Sequence, residues 1–107
     1  MKKHTFYIGL NDKDTKTQLI NTLDAYRITT NILGVDSTIK ECKGVYTHED
    51  GTITTENTLE VVLLDFDNKM TREWVTDKAN AIKVALNQES VAYQVEDVKI
   101  ELMSELI

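Results

Sequence analysis

Residues 38–66, TIKECKGVYT-HEDG-TITTENTLEVVLLDF, decide the fold. Two β-prone runs flank Asp50-Gly51, and Asp-Gly between such runs is a strong local signal for a tight hairpin. The first run spans Thr38–Thr47 and the second spans Thr52–Phe66, with His48-Glu49-Asp50-Gly51 between them. The second run carries Leu59, Val61 and Leu63 on one face and Val62, Leu64 and Phe66 on the other. A strand apolar on both faces belongs in the middle of a sheet, or meets a partner with its far face.

Working outward, His4–Leu10 alternates Phe6, Ile8 and Leu10 with Thr5, Tyr7 and Gly9, the period of a half-buried strand. Thr15 with Gln18 three residues later matches a capping box, which predicts a helix starting near Lys16 and ending at Gly34. Within it Leu19, Leu23, Tyr26 and Leu33 share one face, expected to pack on the sheet. Ala25, Ile28 and Ile32 form a second stripe on nearly the opposite side, a candidate self-association surface. Residues 70–87 place Trp74, Val75, Ala79, Ile82, Ala85 and Leu86 on one arc, a second helix. After it Val91, Tyr93 and Val95 alternate, and the period slips at Glu96-Asp97 before Val98, Ile100 and Leu102. A β-bulge, or a short strand followed by the main fourth strand, accounts for that slip.

The order βαββαβ predicts one α+β domain over residues 1–107, a ferredoxin-like sandwich with a four-stranded antiparallel sheet and two helices on one face. A length of 107 residues suits a single domain, and 41% hydrophobic residues are enough to build a core. One cysteine, Cys42, excludes an internal disulfide and points to a reducing, cytoplasmic setting. The N-terminal residues carry no apolar run of a signal peptide, and no stretch reaches the ~20 apolar residues of a membrane span.

Net charge is −6, and its distribution is uneven. Residues 1–35 and 68–88 each carry +2, whereas residues 36–67 carry −6 and residues 89–107 carry −4. Free nucleic acid is therefore a poor partner. The expectation is a bare, acidic sheet face and hairpin, with Glu41, Glu49, Asp50, Glu56 and Glu60 presented to another protein with a basic surface.

Motifs with assignable chemistry are sparse. His4, His48 and Cys42 lack the paired spacing of a zinc site, and Asp12-Lys13-Asp14 lacks the glycine and the final acid of a calcium loop, so no metal or cofactor is expected. No phosphate-binding loop or nucleophile elbow occurs, so no catalytic residue is assigned. Tyr7, Tyr46, His48 and Trp74 are the residues able to line a cleft between sheet and helices.

Phe6-Tyr7-Ile8-Gly9-Leu10, Gly44-Val45-Tyr46 and Asn87-Gln88-Glu89-Ser90-Val91 resemble a family of small bacterial proteins of unknown function with Tyr-x-Gly-Leu and Gln-Glu-Ser-Val segments. The chain also resembles short accessory proteins carried by plasmids and phages. Two readings follow. The first is a non-enzymatic acidic interaction module, expected to be a homodimer, in one form a mobile-element inhibitor that imitates nucleic-acid charge. The second is a cofactor-independent enzyme or small-ligand-binding protein with a cleft between sheet and helices.

Overall fold

The computed structural model describes residues 1–104. Strand β1 (Lys2–Gly9), helix α1 (Thr22–Leu33), strands β2 (Thr38–Thr47) and β3 (Ile53–Asp65), helix α2 (Arg72–Ala85) and strand β4 (Ala92–Asp97) follow in the predicted order. The sheet order is β2-β3-β1-β4 with every pair antiparallel, the ferredoxin-like arrangement, and β3 and β1 are central as the two-sided apolar run of β3 requires.

Register assigns the faces. Phe6 lies opposite Val61 and Tyr93, and Ile39 also opposes Val61, so these four share one side. Phe6, Ile8, Leu59, Val61 and Leu63 on that side are buried together with Ala25 and Leu33 of α1, Val75 and Ile82 of α2 and Leu86 at its end. Both helices therefore cover one face, and the Lys78 ammonium of α2 donates to the Ile32 carbonyl of α1 at 2.8 Å. The alternate positions face away from the helices.

The hairpin closes with a three-residue loop, Glu49–Gly51. His48 N–H donates to the Thr52 carbonyl at 2.8 Å, and Gly51 sits at φ +85°, where a side chain would be strained. β1 stops at Gly9 opposite Thr58 and Leu10 N–H still reaches the Asn57 carbonyl, so beyond that point residues 44–47 and 53–56 have no strand neighbour but each other and form a projecting arm.

Helix α1 departs from expectation in two ways. It starts at Thr22, capped by the Asn21 side chain, which accepts from Asp24 N–H at 2.8 Å. The Asp12 carboxylate takes the amides of Asp14 and Thr15, and Asn11 bridges to Gln18, so the chain turns back where a helix start was expected. The inward face is also different. Ala25, Thr29 and Leu33 are buried and Ile28 and Ile32 pack against the core, whereas Leu19, Leu23 and Tyr26 are exposed. The self-association stripe of Ala25, Ile28 and Ile32 is thus part of the chain's own core: small Ala25 and fully buried Thr29 let the helix lie close to the sheet. Gly34 ends α1 in the left-handed conformation, as expected.

Helix α2 is capped by Thr71, whose hydroxyl accepts from Trp74 N–H. Strand β4 ends at Asp97, so the slip in alternation marks the end of the strand. Val98 N–H bonds the Met1 carbonyl, and no strand runs through Val98–Leu102.

Candidate functional site

The uncovered face is built in rows across the strands. One row contains Lys40, Glu60 and Tyr7. The next contains Cys42, Thr58 and Gly9, and the one after it contains Gly44 and Glu56. Residues two apart on a strand share a face, so Glu56, Thr58 and Glu60 line up along β3, with about 13 Å of strand between the backbone positions of the two glutamates.

Glu60 is held from both sides. The Lys40 ammonium lies 3.0 Å from one carboxylate oxygen, and the Tyr7 hydroxyl donates to the other at 3.3 Å. The hydrogen bond from Lys40 and its charge hold the Glu60 carboxyl below the usual range, and Glu60 in turn raises Lys40. Partial burial, and then the Glu60 charge, raise the Tyr7 phenol. At neutral pH this row is a carboxylate served by a protonated phenol and an ammonium.

Glu56 forms the second centre. Its carboxylate accepts the Asn11 backbone N–H at 2.9 Å and lies against Gly9, where a Cβ would overlap it. Tyr46 folds back toward Gly44, where a Cβ would come within 2.9 Å of both the Tyr46 hydroxyl and Thr58 Oγ1. Burial first, and then Glu56, push the Tyr46 phenol above its ordinary value. Neither glycine has a positive φ, so both serve by lacking a side chain. The result is a polar cluster in which the Glu56 carboxylate and the Tyr46 phenol lie against the sheet around Thr58. Cys42 beside it directs its thiol to the Thr58 carbonyl at 3.5 Å.

The sequence-derived sites are redistributed. Of the five acidic residues, only Glu56 and Glu60 lie on the uncovered face. Glu41 opposes Leu59 on the other side of β2, Glu49 sits in the hairpin loop, and Asp50 is bonded there to the Thr52 amide and hydroxyl. The uncovered face is also less acidic than expected, because Lys3 and Lys40 interleave with Glu56, Glu60 and Glu96, and Lys3 pairs with Glu96. The four aromatic and imidazole candidates do not line one cleft. Tyr7 and Tyr46 belong to the uncovered face, His48 bonds the Thr54 hydroxyl in the arm, and Trp74 lies on α2. Trp74 does line a cavity of about 470 Å³, shared with Asp36, Thr38, Val62, Phe66 and Asp67, at the end of the sheet where β2 begins and β3 ends.

Sequence reasoning missed Lys40, Gly9 and Gly44. Their signal is register: with only four glycines in the chain, two inside strands mark a close approach rather than a turn. Among the described residues no group of three or more His, Cys, Asp or Glu side chains could hold a metal ion, and no helix is long and apolar enough to cross a membrane.

The molecule is thus a ferredoxin-like α+β sandwich with carboxylate–tyrosine pairs on its open face. No family model and no curated protein matches the chain. Among solved structures it is similar to a phage SAM lyase in complex with S-methyl-5'-thioadenosine, at 25% identity and TM-score 0.65, over 90% of this chain and 80% of that one. It is also similar to CutA1 from Pyrococcus horikoshii, at 14% identity and TM-score 0.56, covering 95% and 87% of the two chains. A DUF3240 family protein from Shewanella baltica matches at 7% identity and TM-score 0.52, over 97% of each chain. The last two show likeness of fold alone. The phage neighbour bears on the expected likeness to phage-borne proteins, and it is an enzyme.

Proposed function

We propose that the chain is a lyase acting on S-adenosylmethionine or a close nucleoside sulfonium, at the cluster of Glu56, Tyr46 and Thr58 and the adjoining row of Glu60, Tyr7 and Lys40. The observation that carries this reading is the similarity to the phage SAM lyase across nine-tenths of the chain. The residue chemistry fits it. A sulfonium is a permanent cation, and carboxylates with half-exposed phenol rings attract it through charge and through the ring faces.

Cleavage of such a substrate breaks the C–S bond on the amino-acid side. The bond pair goes to sulfur, which departs as neutral S-methyl-5'-thioadenosine without needing a proton. The carbon left behind is satisfied either by loss of a neighbouring proton to a carboxylate, which forms a C=C bond, or by attack of an oxygen nucleophile. Glu56 is placed for the base role in the first case, and in either case the phenols orient the amino-acid end.

The test is chromatographic detection of S-methyl-5'-thioadenosine after incubating purified protein with S-adenosylmethionine. Release above the buffer blank is expected, with a fall of about 100-fold or more in Glu56→Gln at retained melting temperature. A wild-type rate equal to the blank overturns the reading.

The projecting arm favours a second reading as an interaction module. Val45 and Ile53 are exposed on one side of it, and Glu49 and Asp50 lie at its tip. On this reading a partner or a second copy covers the arm, and light scattering across protein concentrations distinguishes a homodimer from a monomer.

A further inference from the structure

Strand β2 begins at Thr38 opposite Val62, whereas β3 continues to Asp65 opposite Lys2 of β1. Leu63 to Asp65 therefore have no strand neighbour on the β2 side. The connections on either side of this gap, residues 34–37 and 66–71, together with Trp74 of α2 and the adjoining strand ends, line an open cavity of about 470 Å³. Cavities of ~300 to 1,000 Å³ with mainly apolar walls and a few polar groups are the usual form of a small-molecule site.

We propose that this cavity is the subsite for the nucleoside end of the substrate, an inference that rests on the lyase reading above. Three features carry it. Trp74 and Phe66 supply aromatic walls for a purine ring, which stacks on such rings regardless of its hydrogen-bonding edge. Asp36 and Asp67 supply carboxylates at the rim, the group that commonly accepts hydrogen bonds from ribose hydroxyls. The third feature is continuity with the row described above. Thr38 and Val62 line the cavity, and the next positions on the same face of the same two strands are Lys40 and Glu60. That step is about 7 Å of strand. A base held by Trp74 and Phe66 directs the 5' sulfur toward the Glu60 row, and the amino-acid end then extends along β3 toward Glu56.

The single tryptophan of the chain makes this directly measurable. Titration of the full chain with S-methyl-5'-thioadenosine is expected to change Trp74 emission saturably. Phe66→Ala and Asp36→Asn alter exposed side chains, so folding is retained, and each is expected to raise the Kd at least tenfold. Leu23→Ser, on the far exposed side of α1, is expected to leave it within twofold. For S-adenosylmethionine cleavage the same two cavity variants should raise KM with kcat held within threefold. Unchanged emission on titration, or wild-type affinity in both cavity variants, overturns the assignment. If wild-type protein binds the thioether in this pattern but cleaves no S-adenosylmethionine, the subsite stands and the lyase reading falls. If it cleaves the substrate and the cavity variants match wild type in KM, the reverse holds.

Discussion

Gly9→Ala is the most direct probe of the packing of Glu56 against the sheet. A Cβ at position 9 would meet Glu56 Cδ at 2.6 Å and Oε2 at 2.8 Å, closer than packed atoms approach. The obstacle is the far end of a flexible side chain, so the backbone can stay in place while the carboxylate swings aside and gives up the Asn11 N–H at 2.9 Å. A hydrogen bond to a charged acceptor contributes about 1.5–3 kcal/mol. Alanine in place of glycine at a compatible backbone position returns about 0.4–1 kcal/mol through the unfolded state. The net loss is therefore about 1–2 kcal/mol, or roughly 5–10 °C in melting temperature for a domain of this size. Urea denaturation of a double-mutant cycle isolates the cause. In the Glu56→Ala background there is no carboxylate to displace, and Gly9→Ala should become neutral or stabilise by about 0.4–1 kcal/mol. The same destabilisation in both backgrounds would refute the packing argument, as would stabilisation by Gly9→Ala alone.

Two further predictions concern the rest of the fold. Thr29 is fully buried and its hydroxyl has no hydrogen-bond partner, so Thr29→Val should stabilise by about 1 kcal/mol; a lower denaturation midpoint would show that the hydroxyl is satisfied. Burial pushes the Asp65 carboxyl up, but the Met70 and Lys69 amides together with His4 more than reverse it, so it titrates below the usual carboxylate range. A depressed folded pKa contributes stability above the unfolded value, near 4, and that stability is lost as pH falls through the folded value. Asp65→Asn should therefore cost about 1–3 kcal/mol at pH 7 and flatten the acid limb of the stability profile, as read by denaturation at a series of pH values. An unchanged acid limb refutes the assignment to Asp65.

The strands were legible because period two is hard to disguise. Strand β2 has its expected limits, β3 agrees to within one residue at each end, and Asp50-Gly51 forms the turn that its residue types demand. Helix α1 departs from its periodicity in two places for one physical reason: polar residues there make contacts that hydrophobic counting ignores. Asp12 folds the preceding loop back on itself, which removes six residues from the expected start, and Thr29 occupies a core position, which turns the helix face. The site was legible only in pieces. Composition alone places Glu56 and Glu60 on an acidic surface and Tyr7 and Tyr46 in a cleft. Pairing each carboxylate with a phenol requires the cross-strand register, and single-strand periodicity does not contain it.

The two strand glycines connect stability to function. Glycine inside a strand costs about 0.5–1 kcal/mol relative to alanine, and neither Gly9 nor Gly44 returns that cost through a turn or a left-handed backbone. Both lie on the uncovered face, on the two strands flanking β3, one opposite Thr58 and the other opposite Glu56. Their common effect is to let the Glu56 carboxylate and the Tyr46 ring lie flat against the sheet instead of standing into solvent. A solvated face has no need of that geometry, since Glu and Tyr extend into water at no packing cost. A face that must bring a carboxylate and a phenol to one small cation does need it, and the chain carries the weakness in its two flanking strands at the place where the proposed chemistry would occur.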